Sequence, residues 1–162
     1  MAKILPIVIY PDKTLRITCK NIDKIDDKIR RLVLDMELTM KEKDGIGLAA
    51  PQIGKEIRLI VINTKDGPIA MINPKITKKS WKKELGEEGC LSIPDFFGGV
   101  KRHKKINLIY TDKNGNKIRL AAEGLFARVI QHEIDHLNGV LFIDYIKRKN
   151  LPENLRGQIV KK

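Results

Sequence analysis

Between residues 26 and 44 the apolar positions fall at Ile29, Leu32, Val33, Met36 and Met40, the spacing of one face of an α-helix. Asp26 stands just before them, where a short carboxylate satisfies free backbone N–H groups, and Gly45 follows as a stop. The period then changes. Residues 57–62 and 69–72 are apolar runs rich in β-branched side chains, separated by Asp66-Gly67-Pro68, and predict adjacent strands joined by a turn. Residues 106–111 and 117–122 flank Asn114-Gly115, a dipeptide suited to the left-handed backbone of a tight hairpin. Helical spacing returns from Gly124 to Leu137, where Asn138-Gly139 ends it. A helix near each end and strands between them predict an α+β fold of mostly antiparallel strands, with an N-terminal amphipathic helix and the second helix at the centre.

Length and composition narrow the class. A chain of 162 residues is expected to form one domain, 1–162, burying roughly two-thirds of the surface its unfolded form exposes. It needs no disulfide or structural metal merely to fold. Cys19 and Cys90 lie far apart, and the apolar stretch 4–10 is broken by Pro6 and too short for a signal sequence or a membrane span. The expectation is a cytoplasmic protein with free thiols and no membrane partner.

The charge is unusual: 32 basic against 20 acidic residues give +12. Residues 75–83 carry five lysines, residues 101–105 four cations, and the tail 147–162 six cations against Glu153. Such runs are ordinarily solvated faces. The alternative is attraction towards RNA or a ribosome, with the tail as the contact, through salt-sensitive phosphate pairing. Only Trp81 interrupts these runs, so a base-stacking platform is not indicated, and DNA is not an expected partner.

The chemistry concentrates in three segments. His132-Glu133-Ile134-Asp135-His136 is an H-E-x-x-H motif within the second predicted helix. A step of four residues turns about 400°, so both imidazoles project from one face within reach of one ion. Glu133 is offset around the helix, placed to touch a water beside the metal without ligating it. A catalytic site ordinarily has three protein ligands and an open position. Downstream the sequence offers Asp144 and Glu153; upstream it offers Cys90, between Gly89 and Pro94 in an expected loop. A buried small apolar residue is the usual reading of a cysteine, but beside an incomplete two-histidine site the ligand reading prevails, and a thiolate suits Zn²⁺ or Fe²⁺. The third segment, residues 45–54 (GIGLAAPQIG), is no phosphate loop. Its glycines allow close backbone approach to a peptide, and a Gln amide can donate to an oxyanion. Two rivals remain at this level: an H-E-x-x-H peptidase using a downstream carboxylate, and a basic RNA-associated domain with a structural metal. Structural sites are closed by four protein ligands, and only three can be named here.

GIGLAAPQ, EGCLS and QHEIDHLNG, in this order and spacing, resemble the three signature motifs of the peptide deformylase family. The likeness runs from residues 9–12 to residues 141–144, leaves out the basic tail, and is to the compact bacterial form. The resemblance implies removal of the formyl group from N-formylmethionyl peptides, with release of formate. It implies Cys90, His132 and His136 as ligands of one divalent metal, Fe²⁺ by preference, with Zn²⁺, Ni²⁺ or Co²⁺ as possible occupants. Glu133 would handle protons, and Gln52 and the Leu91 amide would hold the oxyanion. Gly45, Ile46 and Gly89 would line the peptide groove, and Leu125 and Val129 the methionine pocket. Glu88 and Arg102 would pair and brace the cysteine segment. The chain departs from the family pattern at Gly98-Gly99 and at Lys101, where proline is common.

Overall fold

The computed structural model describes residues 1–157. Helix α1 spans Asp27–Glu42 and helix α2 spans Gly124–Leu137. The strands are β1 (Gly47–Ala49), β2 (Leu59–Thr64), β3 (Gly67–Lys79), β4 (Lys83–Cys90), β5 (Ile93–His103), β6 (Lys105–Thr111) and β7 (Lys117–Glu123). Five of them form one antiparallel sheet in the order β1-β2-β3-β6-β7, and β4 and β5 form a separate two-stranded ribbon. The expected α+β architecture with mostly antiparallel strands is therefore present, with α2 at its centre. No helix among the described residues is long and apolar enough to cross a membrane.

At β2 the large sheet is covered on both faces, which is why this strand reads as a continuous apolar run, whereas β6 and β7 alternate with one face exposed. Leu59 and Val61 point to one side, where they meet Val33, Met36 and Met40 of α1. Ile60 and Ile62 point to the other, against Ala127, Ile130, Ile134 and Leu137 of α2. Asp26 caps α1 as its position predicts, accepting the Ile29 N–H at 3.0 Å. The left-handed residue that closes this helix is Asp44 (φ 54°), not Gly45, whose N–H instead returns to the Met40 carbonyl.

Two expectations are corrected. Cys90 does not sit in a loop: it ends β4 and pairs with Ile93 across the two-residue turn Leu91-Ser92. The basic tail is not wholly a solvated run. Leu151 and Leu155 are buried with Tyr10, Leu15, Val100 and Phe142, while the neighbouring cations face solvent. Residues 158–162 of the tail lie outside the described residues. The glycine pair at 98–99 has a packing reason. A side chain at Gly98 would strike the end of Ile146, and one at Gly99 would press on Leu85.

The second thiol is part of the α2 core. Cys19 is 5% exposed, and burial pushes its thiol up to about 11. At pH 8 roughly one molecule in a thousand carries its reactive thiolate. In chelator-treated native protein one thiol, Cys90, is expected to react quickly with a disulfide reagent. Cys19 should follow only on unfolding. Two fast thiols per chain would mean that this core opens readily.

Candidate metal centre and substrate cavity

Helix α2 carries both histidines inward. His132 and His136 are buried one turn apart, with ring centroids 5.0 Å from each other. Cys90 reaches them from the end of β4, its Sγ 3.3 Å from His136 Nε2. One donor atom from each of the three side chains lies within 4.8 Å of the others. Oε2 of Glu133, beside the cluster, is buried with no hydrogen-bond partner among the described residues. Buried polar atoms ordinarily find partners, so this oxygen has capacity that a water would meet. A thiolate with two imidazoles is a donor set that suits a divalent transition metal. The residues present fit such an ion.

The orientation of the ligands is fixed from behind. His132 Nδ1 is 2.8 Å from Glu88 Oε1, which turns its Nε2 away from that carboxylate. Arg102 binds Glu88 in two-pronged fashion, with Nε to Oε2 and Nη2 to Oε1 both at 2.9 Å, so the pair expected to brace the cysteine segment does meet. Burial would raise the Glu88 carboxyl, but hydrogen bonds from His132 and Arg102 outweigh it and hold the group down at about 2. Against the same burial, contacts with Cys90 and Glu88 keep His132 well above its usual range. His136, desolvated and beside cationic neighbours, lies well below it. Burial pushes Glu133 up to about 7.

Gln52 is held by a division of labour in its amide. Its Oε1 accepts the Ala49 N–H at 2.9 Å, which directs Nε2 towards Cys90 Sγ and Ser92 Oγ, each 3.3 Å away. The short turn Ala50–Ile53 that carries Gln52 is tied to the N-terminal segment by Val8 N–H to the Gln52 carbonyl at 2.7 Å. Two residues later the same segment binds the Ser92 carbonyl through Tyr10 N–H at 2.8 Å. One N-terminal segment thus ties the Gln52 turn to the Cys90 turn.

A cavity of about 400 Å³ opens in front of this cluster. Gly45, Ile46 and Gln52 form one wall, and Glu88, Gly89, Cys90 and Leu91 another. Leu125, Val129, His132 and Glu133 line it from α2. Every residue to which the family resemblance gave a role therefore borders the cavity except His136 and Arg102. The rim includes Phe97, largely exposed, whose ring covers the space where a Gly89 side chain would be.

Several supporting residues were not singled out beforehand. Gly47 is one: a Cβ there would lie 2.5 Å from Glu133 Oε1, so the absent side chain makes room for that carboxylate. Arg128 donates to Glu88 Oε2 at 2.7 Å and to the carbonyls of Glu84 and Val100. Asp135 accepts from Arg102 at 2.5 Å and from the Tyr145 hydroxyl at 2.8 Å. Asp144, a candidate ligand on spacing alone, is instead held by Arg16 at 2.6 and 2.9 Å. The second glycine of GIGLAAPQ was a visible signal for Gly47. Nothing local announced Arg128, which works across three strands' worth of chain.

Comparison with known proteins agrees with the geometry. The family model of polypeptide deformylase matches residues 4–151. A peptide deformylase of Rhizobium meliloti (strain 1021) is 49% identical over 150 residues, covering 90% of this chain and 86% of the relative. A crystal structure of a peptide deformylase from Synechococcus elongatus in complex with actinonin superposes with a TM-score of 0.86 at 46% identity, covering 88% of this chain and 79% of that one. The peptide deformylase of Thermotoga maritima gives 0.87 at 42% identity, over 89% and 98% of the two chains.

Proposed function

The chain belongs to the peptide deformylase family, and from that premise we propose that it hydrolyses the formyl group from the initiator methionine of new peptides, through the residues assembled around Cys90, His132 and His136. The observation that carries the reading is the convergence of these three donors beside a buried Glu133, at the end of a cavity large enough for a methionine side chain. Cys90, His132 and His136 would hold one divalent cation, which when bound supplies the Lewis acidity that makes water a nucleophile at neutral pH. Glu133 accepts the proton of the attacking water and returns it to the leaving amine, a role worth roughly 10²–10⁴ in rate. Gln52 Nε2 and the Leu91 N–H donate to the oxygen on which charge develops, each contributing on the order of 3 kcal/mol. The backbone of Gly45, Ile46 and Gly89 pairs with the extended peptide as an added strand. Leu125 and Val129 enclose the methionine side chain. Glu88, fixed by Arg102, keeps His132 in one tautomer.

Formylmethionyl peptides should be cleaved at least roughly a hundredfold faster, by kcat/KM, than acetyl peptides of the same sequence. A methyl on the carbonyl carbon adds volume where the ligand cluster leaves little. Similar rates on both would remove deformylation as the main activity.

Two finer parts belong to this proposal. The cation is iron, which a thiolate and two imidazoles accept readily and which the family resemblance favours. Anaerobic purification with metal analysis tests it: a full equivalent of zinc with undiminished activity would overturn iron. The partner of the basic tail is a ribosomal surface, supported by exposed Lys147, Lys149 and Arg156 on a segment anchored by Leu151 and Leu155. Because that segment is anchored, charge reversal of the three cations is the proper test, and unchanged co-sedimentation with ribosomes would refute it.

A further inference from the structure

Across α2 from the substrate cavity lies a second one of about 720 Å³. Leu125, Val129, His132 and Glu133 face the first, whereas Gln131, Ile134, Asp135 and Asn138 face the second. At 3.6 residues per turn these sets are opposite sides of one helix. Cations dominate the second cavity. Lys75 and Lys79 come from β3, Lys83 from β4, Lys101 from β5, and Arg58 from the approach to β2. Two basic runs far apart in sequence therefore face one space.

These charges are not compensated among the described residues. Asp135 is the one carboxylate among the described residues lining the cavity, and it is already bound by Arg102 and Tyr145. Elsewhere lysines do find acids: Lys104 pairs with Glu84 and Lys105 with Glu123. Lys75, Lys79, Lys83 and Lys101 have no ion-pair partner among the described residues. The C-terminus of α2 offers only about half a negative charge, and Arg58 already donates to the Leu137 carbonyl there at 3.3 Å and to Asn138 Oδ1 at 2.9 Å. Like charges held together this way repel one another, and an anionic partner relieves that repulsion.

Trp81 tells which kind of anion. It is the only tryptophan of the chain, sits in the turn between Lys79 and Lys83, and is fully exposed. A large aromatic ring that buries nothing, flanked by cations, has the makings of a base-stacking platform. The sequence alone did not indicate one, because a single aromatic seemed too few. The structure leaves that ring fully exposed in the short turn joining Lys79 to Lys83, both of which line the cationic cavity. The side-chain amides of Asn21 and Asn138 line the same space, and the amide nitrogens of both have no acceptor among the described residues. Such groups can pair with a ribose 2′-hydroxyl.

We propose that this face binds single-stranded RNA, the four lysines taking its phosphodiester backbone and Trp81 stacking on one base. The surface is distinct from both the catalytic cavity and the anchored tail.

The test uses the intact protein and a 12-nucleotide oligoadenylate RNA. As the sole fluorophore of its type, Trp81 reports stacking directly, and its emission should be quenched by about half or more at saturation. Three to four phosphate contacts predict that affinity falls roughly 20- to 50-fold between 50 and 200 mM salt. Lys79→Glu/Lys83→Glu should weaken binding at least about tenfold, and Trp81→Ala roughly 5- to 100-fold, with deformylation rates unchanged in both. The charge-matched pair Lys41→Glu/Lys55→Glu, on exposed positions elsewhere, should bind nearly as the parent does. Saturable binding without quenching, or equal weakening by the two double reversals, would overturn the proposal. Equal affinity for the DNA of the same sequence would overturn the assignment to RNA.

Discussion

Glu133→Gln is expected to leave a full equivalent of metal on the protein while kcat falls by roughly 10²–10⁴. The substitution keeps the shape of a side chain that is 4% exposed and seated over Gly47, and it removes only the proton acceptor. Cys90→Ala should behave differently, losing metal and turnover together, because it deletes one of three donors. A third variant distinguishes position from chemistry. Gly47→Ala puts a methyl group where Glu133 Oε1 now lies, so it should depress kcat with normal metal content and little change in fold. Metal per chain after gel filtration, beside formate release, separates the three outcomes. A Cys90→Ala protein that still holds one metal and turns over would sink the ligand assignment.

The second large effect concerns stability. Arg102 is 4% exposed and joins Glu88 on β4, Asp135 on α2 and the Tyr145 ring, whose centroid lies 4.6 Å from its guanidinium carbon. Replacing it by Met leaves the buried Glu88 and the partly buried Asp135 each short of a partner, which costs about 3–5 kcal/mol. For a chain of this size the melting temperature should drop by roughly 10 °C. Arg102→Lys should recover little, since one ammonium cannot reproduce the fork. The pH profile carries a further signature. The Glu88 carboxyl sits at about 2 in the folded chain against an ordinary 4.5, so its contribution is complete above pH 4.5 and is lost as the pH falls towards 2. Arg102→Met should therefore shift acid unfolding to higher pH. Unaltered acid and thermal transitions would show that the network is dispensable.

What the sequence disclosed depended on whether a segment's pattern served one purpose. Helix α2 was legible from Gly124 to Leu137 because its apolar spacing, its motif and its terminal Asn-Gly all agree. The β6–β7 hairpin was legible from Asn114-Gly115. The β4–β5 ribbon was not. Lys-Glu-Leu-Gly-Glu-Glu-Gly-Cys lacks clean alternation because one of its faces is held by Arg102 and Arg128 rather than by apolar packing. Strand β3 was predicted only as far as residue 72, yet it continues through Pro74 and the lysines to Lys79, with register shifts along the way. The grouping of Cys90, His132 and His136 with Glu133 and Gln52 beside them was legible because all five stand in short motifs. Arg128 and Asp135 act through contacts between distant segments, which no local pattern reports.

The split origin of the ligand set has one more consequence. Cys90 belongs to the two-stranded ribbon and the histidines to the central helix, so a cation shared among them is also a cross-link between separate layers. An ion that binds the folded chain alone adds about 4 kcal/mol of stability at a thousandfold excess over its dissociation constant. Melting curves with and without a chelator measure that coupling, and coincident curves would deny it. In a living cell it would make metal supply a control on how much of this protein survives quality-control proteolysis, and not only on how fast each molecule works.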